Sequence, residues 1–202
     1  MRPAWREQEL AEEREDRARL GERFRSGEFV GAAREALALG LADEIALQIY
    51  AMWSTGDLQG EALQDALQPA WVYNKSPVGA IDQRAWVRLF KACGPFTKSS
   101  EVKGVDPAFE HLTEIPTEPF TIWRGSWLGS EGRGMSWSSH RPVAADFADL
   151  AALRGVAGLW EAKIRPAAVL ALFNDEYQTE VVVNPDYLRR KRVLIEKVPA
   201  KR

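Results

Sequence analysis

Residues 175–185 contain the clearest strand signal in the chain, Asp175-Glu176-Tyr177-Gln178-Thr179-Glu180-Val181-Val182-Val183-Asn184-Pro185. Three consecutive valines bounded by polar residues predict a short buried strand over 179–183. Glu180 stands at the start of this strand. Gln178 falls on the same side, because strand side chains alternate. A carboxylate at the start of an apolar strand is costly unless it is paired or takes part in chemistry, which makes Glu180 a candidate functional residue.

Other short hydrophobic runs lie around this strand in the last two fifths of the chain. They predict further strands over 120–124, 134–138, 158–164, 169–173 and 192–198. One helix interrupts them, from Pro142 to about Leu153. Its expected inner face consists of Val143, Phe147, Ala148 and Ala151. Residues 94–119 are rich in Gly, Pro, Ser and Thr, which predicts a connecting segment.

Helical periodicity dominates residues 29–93. Several amphipathic helices are expected there, with Pro69 ending one and Ser76-Pro77 beginning another. Cys93, at the end of the last of them, is expected to be a buried core thiol. The side chains expected to point inward are large and apolar: Ile45, Ile49, Trp53, Leu63, Trp86, Leu89 and Phe90.

Residues 1–30 contain seven Arg and eight Asp or Glu, which predicts a solvated helix. Pairs four residues apart, Glu13 with Arg17 and Glu15 with Arg19, are expected to support it. Its few large apolar residues are expected to be too sparse for a buried face: Trp5, Leu10, Leu20 and Phe24.

Two more polar motifs accompany predicted strands. Arg124-Gly125 ends the first strand, where a guanidinium can clamp an anion and a glycine lets a ligand approach the backbone. In Ser136-Trp137-Ser138, the two serines face one side of a strand and the tryptophan faces the other.

In this order, the three motifs resemble the mono-ADP-ribosyltransferases, specifically their clostridial-toxin-like branch. That family has an Arg on a first strand, Ser-x-Ser on a second, and Gln-x-Glu or Glu-x-Glu opening a third. The resemblance covers residues 120–185. It implies an α+β fold, with a helical N-terminal region over 1–110 and a mixed, β-rich ADP-ribosyltransferase-like catalytic core over 111–202.

The same resemblance implies that NAD is the substrate, without a metal, and that ADP-ribose is transferred to a macromolecular acceptor, either protein or nucleic acid. Catalytic roles fall to Glu180, Gln178 and Ser136, and acceptor recognition to Gln178 and Tyr177. Residues implied to bind NAD are Arg124, Gly125, Ser136, Trp137 and Ser138. A bacterial or phage effector or toxin, with an immunity protein as a partner, is the biological setting that the family suggests.

Two alternatives remain open from the sequence. One is an NAD glycohydrolase on the same fold, with water as the acceptor. The other is a non-catalytic helical interaction protein in which the three motifs are coincidental. Nicotinamide release with and without a labelled macromolecule distinguishes the three.

Composition excludes several other classes. The 202 residues are 46% hydrophobic and 28% charged, as in ordinary globular proteins, and the net charge of −2 excludes a polycation. A single cysteine excludes an intramolecular disulfide, and two histidines exclude a zinc site built on several imidazoles. With no apolar run of membrane-spanning length and no signal-peptide pattern, we expect no membrane partner and a cytoplasmic location, either in the producing cell or in a target cell.

Overall fold

The computed structural model describes residues 4–74, 79, 81–99, 112–127, 134–174, 179–189 and 194–198. The chain divides into two compact units, residues 1–93 and 94–202. The expected boundary at residue 110 is displaced because strand β1 (Phe96–Ser99) pairs in parallel with β5 (Val169–Asn174) and so belongs to the second unit. The expected α+β class is confirmed, with most of the helices N-terminal.

Five helices of the first unit are described: α1 (Ala4–Arg25), α2 (Phe29–Ala38), α3 (Ala42–Thr55), α4 (Gly60–Val72) and α5 (Gln83–Cys93). Six of the seven side chains expected to point inward are fully buried, and Trp53 is half-buried. Trp86 packs edge-on against Trp71, with ring centroids 5.1 Å apart. Among the described residues, no helix is long and apolar enough to cross a membrane.

Three expectations for the first unit are wrong, and one of them concerns Cys93, which is half-buried and not a buried core thiol. Leu20 and Phe24 are completely buried, because α1 packs against α2 and α3 through these two residues one helical turn apart. Pro69 lies inside α4 and does not end it, since proline removes only its own N–H donor and the helix closes again beyond it. The Ser76-Pro77 helix start lies outside the described residues.

Ion pairs join α1 to α2. Arg19 donates to Glu35 Oε1 from Nε at 3.0 Å and from Nη2 at 2.7 Å, and Arg23 donates to the other carboxylate oxygen. Arg19 also bonds Asp16, which replaces the expected pair with Glu15. The expected pair of Glu13 with Arg17 is confirmed. The hydrogen bond from Arg19 and then that from Arg23 lower the pKa of Glu35 below its ordinary value of 4.5.

Glu35 should therefore contribute to stability in a pH-dependent way. Because its pKa is lowered in the folded state, its contribution is present above pH 4.5 and is lost as the pH falls through the lowered value. Glu35→Gln should flatten the acid side of a plot of melting temperature against pH. Glu13→Gln, which removes only the exposed pair within α1, serves as the control. An unchanged acid side in Glu35→Gln would contradict the assignment.

The second unit is built on one seven-stranded sheet in the order β1-β5-β6-β3-β2-β4-β7. All described pairs except β1 with β5 are antiparallel. The six predicted strands are confirmed, each within two or three residues: β2 (Phe120–Trp127), β3 (Ser136–Ser138), β4 (Ala157–Ile164), β5, β6 (Thr179–Val183) and β7 (Leu194–Val198). Strand β1 was not predicted, because Phe96-Thr97-Lys98-Ser99 contains only one large apolar residue.

The two faces of this sheet are covered differently. One face forms a large apolar core that includes Ile122, Trp137 and Trp160. On the other face, helix α6 (Arg141–Ala152) packs through Ala144, Ala148 and Ala152. The expected inner face of this helix is therefore wrong for Phe147, which is 51% exposed. Small residues take its place because the helix backbone lies close to β2.

Candidate functional site

The three motif strands are neighbours in the sheet, although 56 residues separate Arg124 from Glu180 in the sequence. Strand β3 lies between β2 and β6. Trp123 on β2 pairs with Ser138 on β3, and Ser138 pairs with Glu180 on β6. The sheet topology thus brings the three motifs into adjacent positions.

Glu180 has Ser138 directly opposite it on one side and Phe173 on the other. It is partly exposed, whereas Val181, Val182 and Val183 are buried. Ser136 lies opposite Val182, so it is only a diagonal neighbour of Glu180. The register therefore favours Ser138 over Ser136 as the serine that contacts the carboxylate.

Ser138 also organises the start of helix α6. Its hydroxyl accepts a hydrogen bond from the backbone N–H of His140 at 3.0 Å, and only 4% of the residue is exposed. His140 Nδ1 and Ser139 Oγ are hydrogen-bonded at 2.8 Å. His140 was not predicted as a site residue from the sequence. Its position two residues after Ser138, the second serine of the motif, could have identified it from the sequence.

The Arg124 side chain lies on the face of the sheet opposite the one that contains Ser138 and Glu180. It pairs with Trp160, whereas its neighbour Trp123 pairs with Ser138, so the strand register places Arg124 and Glu180 on opposite faces. Among the described residues, the β2–β3 ladder contains a single pair, and beyond it Arg124 Nη1 donates to the backbone carbonyl of Ser136 at 2.5 Å. The guanidinium thus bridges the two strands where their backbone pairing ends.

Room for this guanidinium is provided by Gly134. A Cβ at residue 134 would lie 2.4 Å from Arg124 Cζ, so any side chain there would displace the guanidinium. Burial lowers the pKa of Arg124, and the negative charge of Glu180 partly offsets this effect. Arg124 Nε is also buried, without a hydrogen-bond acceptor among the described residues.

Trp137, which the resemblance assigns to the NAD site, lies in the apolar core. Only 2% of it is exposed, and it packs in the apolar core against Ile122 and Val181. Its Nε1 donates to the carbonyl of Gly134 at 2.8 Å, which satisfies the one polar atom of the indole. Strand alternation directs it away from the two serines, so its size serves core packing.

The expected role of Gly125 also needs correction. A Cβ at this position would lie 1.8 Å from Ala144 O and 2.3 Å from Ala148 N. Helix α6, and not a ligand, therefore occupies the space beside this glycine. Gly125 allows the helix to approach the sheet at the strand that contains Arg124.

Gly125→Ala should consequently separate α6 from β2. Backbone atoms cannot yield as a flexible side chain can, so we expect a loss of about 1–3 kcal/mol in the free energy of unfolding. Gly21→Ala in α1 is the control, because its Cβ would meet only the flexible ends of the Gln48 and Arg25 side chains. Urea denaturation followed by circular dichroism measures both. Equal stability of the two variants would contradict the close approach at Gly125.

Asn174, which ends β5, and Thr179, which begins β6, are joined by a hydrogen bond between buried polar groups. Thr179 Oγ1 donates to Asn174 Oδ1 at 2.6 Å and accepts from the backbone N–H of Leu112 at 2.9 Å. Asn174 Nδ2 in turn donates to the carbonyl of Leu112 at 3.1 Å. Gln178 and Tyr177, which the resemblance assigns to acceptor recognition, lie outside the described residues.

No metal site is found in the part of the chain that the structure describes: no group of three or more His, Cys, Asp or Glu there is suited to hold an ion. Burial raises the pKa of the half-buried Cys93 thiol to about 11, which makes it a poor nucleophile at neutral pH. No protein-family model matches the chain, and no curated protein or solved structure is significantly similar to it.

Proposed function

We propose that the chain is a mono-ADP-ribosyltransferase that cleaves NAD at the bond between nicotinamide and ribose and transfers ADP-ribose to a macromolecule. One observation supports this most strongly. Arg124, the Ser136-Trp137-Ser138 motif and Glu180, which follow one another in the sequence, occupy three adjacent strands, β2, β3 and β6. A chance coincidence of three short motifs would not require adjacent strands.

Glu180 is the central group of the proposed reaction. Departure of neutral nicotinamide leaves positive charge on the ribose, as in the oxocarbenium-like transition state of glycoside hydrolysis. A carboxylate that hydrogen-bonds the ribose 2′-hydroxyl stabilises that charge. Glu180 suits this role because it is partly exposed at the start of its strand, with Ser138 directly opposite to orient it.

In this proposal, Arg124 contributes a positive charge near Glu180 and a hydrogen bond that links β2 to β3. The negative charge of Glu180 partly offsets the effect of burial on the pKa of Arg124, and the Arg124 bond to the Ser136 carbonyl holds β3 beside β2. A buried donor without an acceptor, such as Arg124 Nε, costs roughly 1–3 kcal/mol. Such donors are rare in folded proteins, and a catalytic or binding role is one of the recognised explanations for them. Binding of the NAD pyrophosphate by Arg124 remains a prediction of the resemblance.

The acceptor is proposed from Gln178. Mono-ADP-ribosyltransferases with glutamate at the matching position tend to modify arginine, whereas those with glutamine modify other acceptors in protein or nucleic acid. The proposal is therefore transfer to a group other than arginine. The effector role, an immunity protein as partner and a cytoplasmic site of action belong to the same proposal.

A non-catalytic interaction protein is the second candidate, and the placement of Arg124 favours it. The Arg124 side chain lies on the face of the sheet opposite Glu180, and its Nη1 is already hydrogen-bonded to the Ser136 backbone carbonyl. A purely structural arginine would have the same contacts. Activity with NAD separates the two candidates.

The test is incubation of the full chain with NAD labelled in the adenylate part, in the presence and absence of a cell lysate. Label on a macromolecule together with free nicotinamide supports transfer. Nicotinamide release without labelled macromolecule supports an NAD glycohydrolase on the same fold. Absence of both products in every lysate contradicts the enzyme and leaves the interaction protein.

A further inference from the structure

Helix α6 has a second, outward face that is unusually apolar. Five large apolar side chains around it are between 44% and 65% exposed: Trp127, Phe147, Leu150, Leu153 and Val156. Trp127 lies beside the turn after the helix, since its Nε1 is 3.6 Å from the place of a Cβ at Gly155. We call these five residues the α6 patch. Contiguous exposed apolar patches on soluble proteins mark interaction surfaces.

The patch is centred on Leu150. Phe147 and Leu153 lie three residues on either side of it, and Asp146 and Arg154 lie four residues on either side. At 3.6 residues per turn, these spacings place Leu150 and the four residues around it on one face of the helix. The helix ends at Ala152 and is followed by a turn of the same hand: Leu153 keeps helical backbone angles, and Arg154 N–H donates to Ala151 O, three residues back. Both charged residues are exposed.

This arrangement is complementary to itself. Two copies of the helix can pack antiparallel about a two-fold axis at Leu150. A residue that precedes Leu150 by a given number of positions then faces the residue of the second copy that follows Leu150 by the same number. Phe147 stands level with Leu153 of the second copy, and Asp146 with Arg154 of the second copy. An interface with two-fold symmetry requires this kind of self-complementary surface.

We propose that a second copy of this chain docks on the α6 patch, forming a symmetric dimer through antiparallel α6 helices. The apolar side chains form the centre of the interface, and two Asp146–Arg154 ion pairs form its rim. A charged rim around an apolar centre is the usual organisation of protein interfaces. This inference does not depend on the proposed function, because the patch contains none of the motif residues.

Crosslinking tests the position of the two-fold axis. Packed helices have axes about 8–10 Å apart, which brings facing Cα atoms at the axis to roughly 5 Å, within disulfide range. Leu150→Cys should therefore form a covalent dimer under mild oxidation of the full chain. Leu47→Cys, equally a replacement of an exposed leucine but on α3, is the matched control. The native Cys93 should not interfere, since burial raises its pKa to about 11.

Charge reversal tests the pairing. Asp146→Arg or Arg154→Asp alone places like charges opposite each other and should weaken the dimer by about tenfold. The double variant restores two opposite pairs and should recover the wild-type association constant, measured by sedimentation equilibrium. A monomeric wild-type chain at all soluble concentrations would overturn the proposal. Equal crosslinking of Leu150→Cys and Leu47→Cys, or a double variant as weak as the singles, would also overturn it.

Discussion

Glu180→Gln should abolish both nicotinamide release and ADP-ribose transfer. The substitution keeps the shape of the side chain but removes the negative charge that stabilises the ribosyl cation. Because that charge acts mainly in the transition state, we expect kcat to fall by roughly 10²–10³ or more. Binding of NAD should change far less. Steady-state release of nicotinamide, with NAD binding measured separately by calorimetry, checks both parts.

Two controls make this result specific. Glu118→Gln removes a carboxylate at an exposed position of the same unit and should leave activity unchanged. Gln178→Ala should retain much of the basal NAD hydrolysis but lose transfer to the macromolecule, because Gln178 is not needed to form the cation. Equal losses of the two products in Gln178→Ala would contradict its assignment to the acceptor. Full activity in Glu180→Gln would contradict the resemblance to the mono-ADP-ribosyltransferases.

Trp86→Ala should cause the largest loss of stability among substitutions in the helical unit. Its side chain is 0% exposed and contacts the rings of Trp71 and Phe90. Removing a fully buried indole leaves a cavity, and we expect a loss of about 3–5 kcal/mol in the free energy of unfolding. Chemical denaturation followed by circular dichroism measures this without depending on the tryptophan removed.

Trp5→Ala provides the matched control, because Trp5 is 65% exposed on α1. Surface substitutions of this kind usually change stability by no more than about 0.5 kcal/mol. A Trp86→Ala variant as stable as Trp5→Ala would mean that the cluster around Trp86 is not the core of this unit.

Strands and helices with a strong local pattern were predictable. Alternating or continuous apolar residues indicated β6, including both of its boundaries, and the amphipathic spacing indicated the inward side of α5. Strand β1 was missed because its pairing with β5 is non-local, and its own residues contain almost no apolar pattern. Burial of Leu20 and Phe24 was missed for the same reason, since it depends on what packs against α1.

The amino-acid sequence by itself determined the class of the fold, the six patterned strands and the polar residues placed at strand ends, because these depend on local periodicity and composition. The tertiary structure decided which of those residues meet. Strand order placed Glu180 opposite Ser138, and register assigned Arg124 to the other face. Close packing of α6 gave Gly125 a structural role. Register and the distance between layers arise from contacts between segments remote in the chain, and no local pattern specifies them.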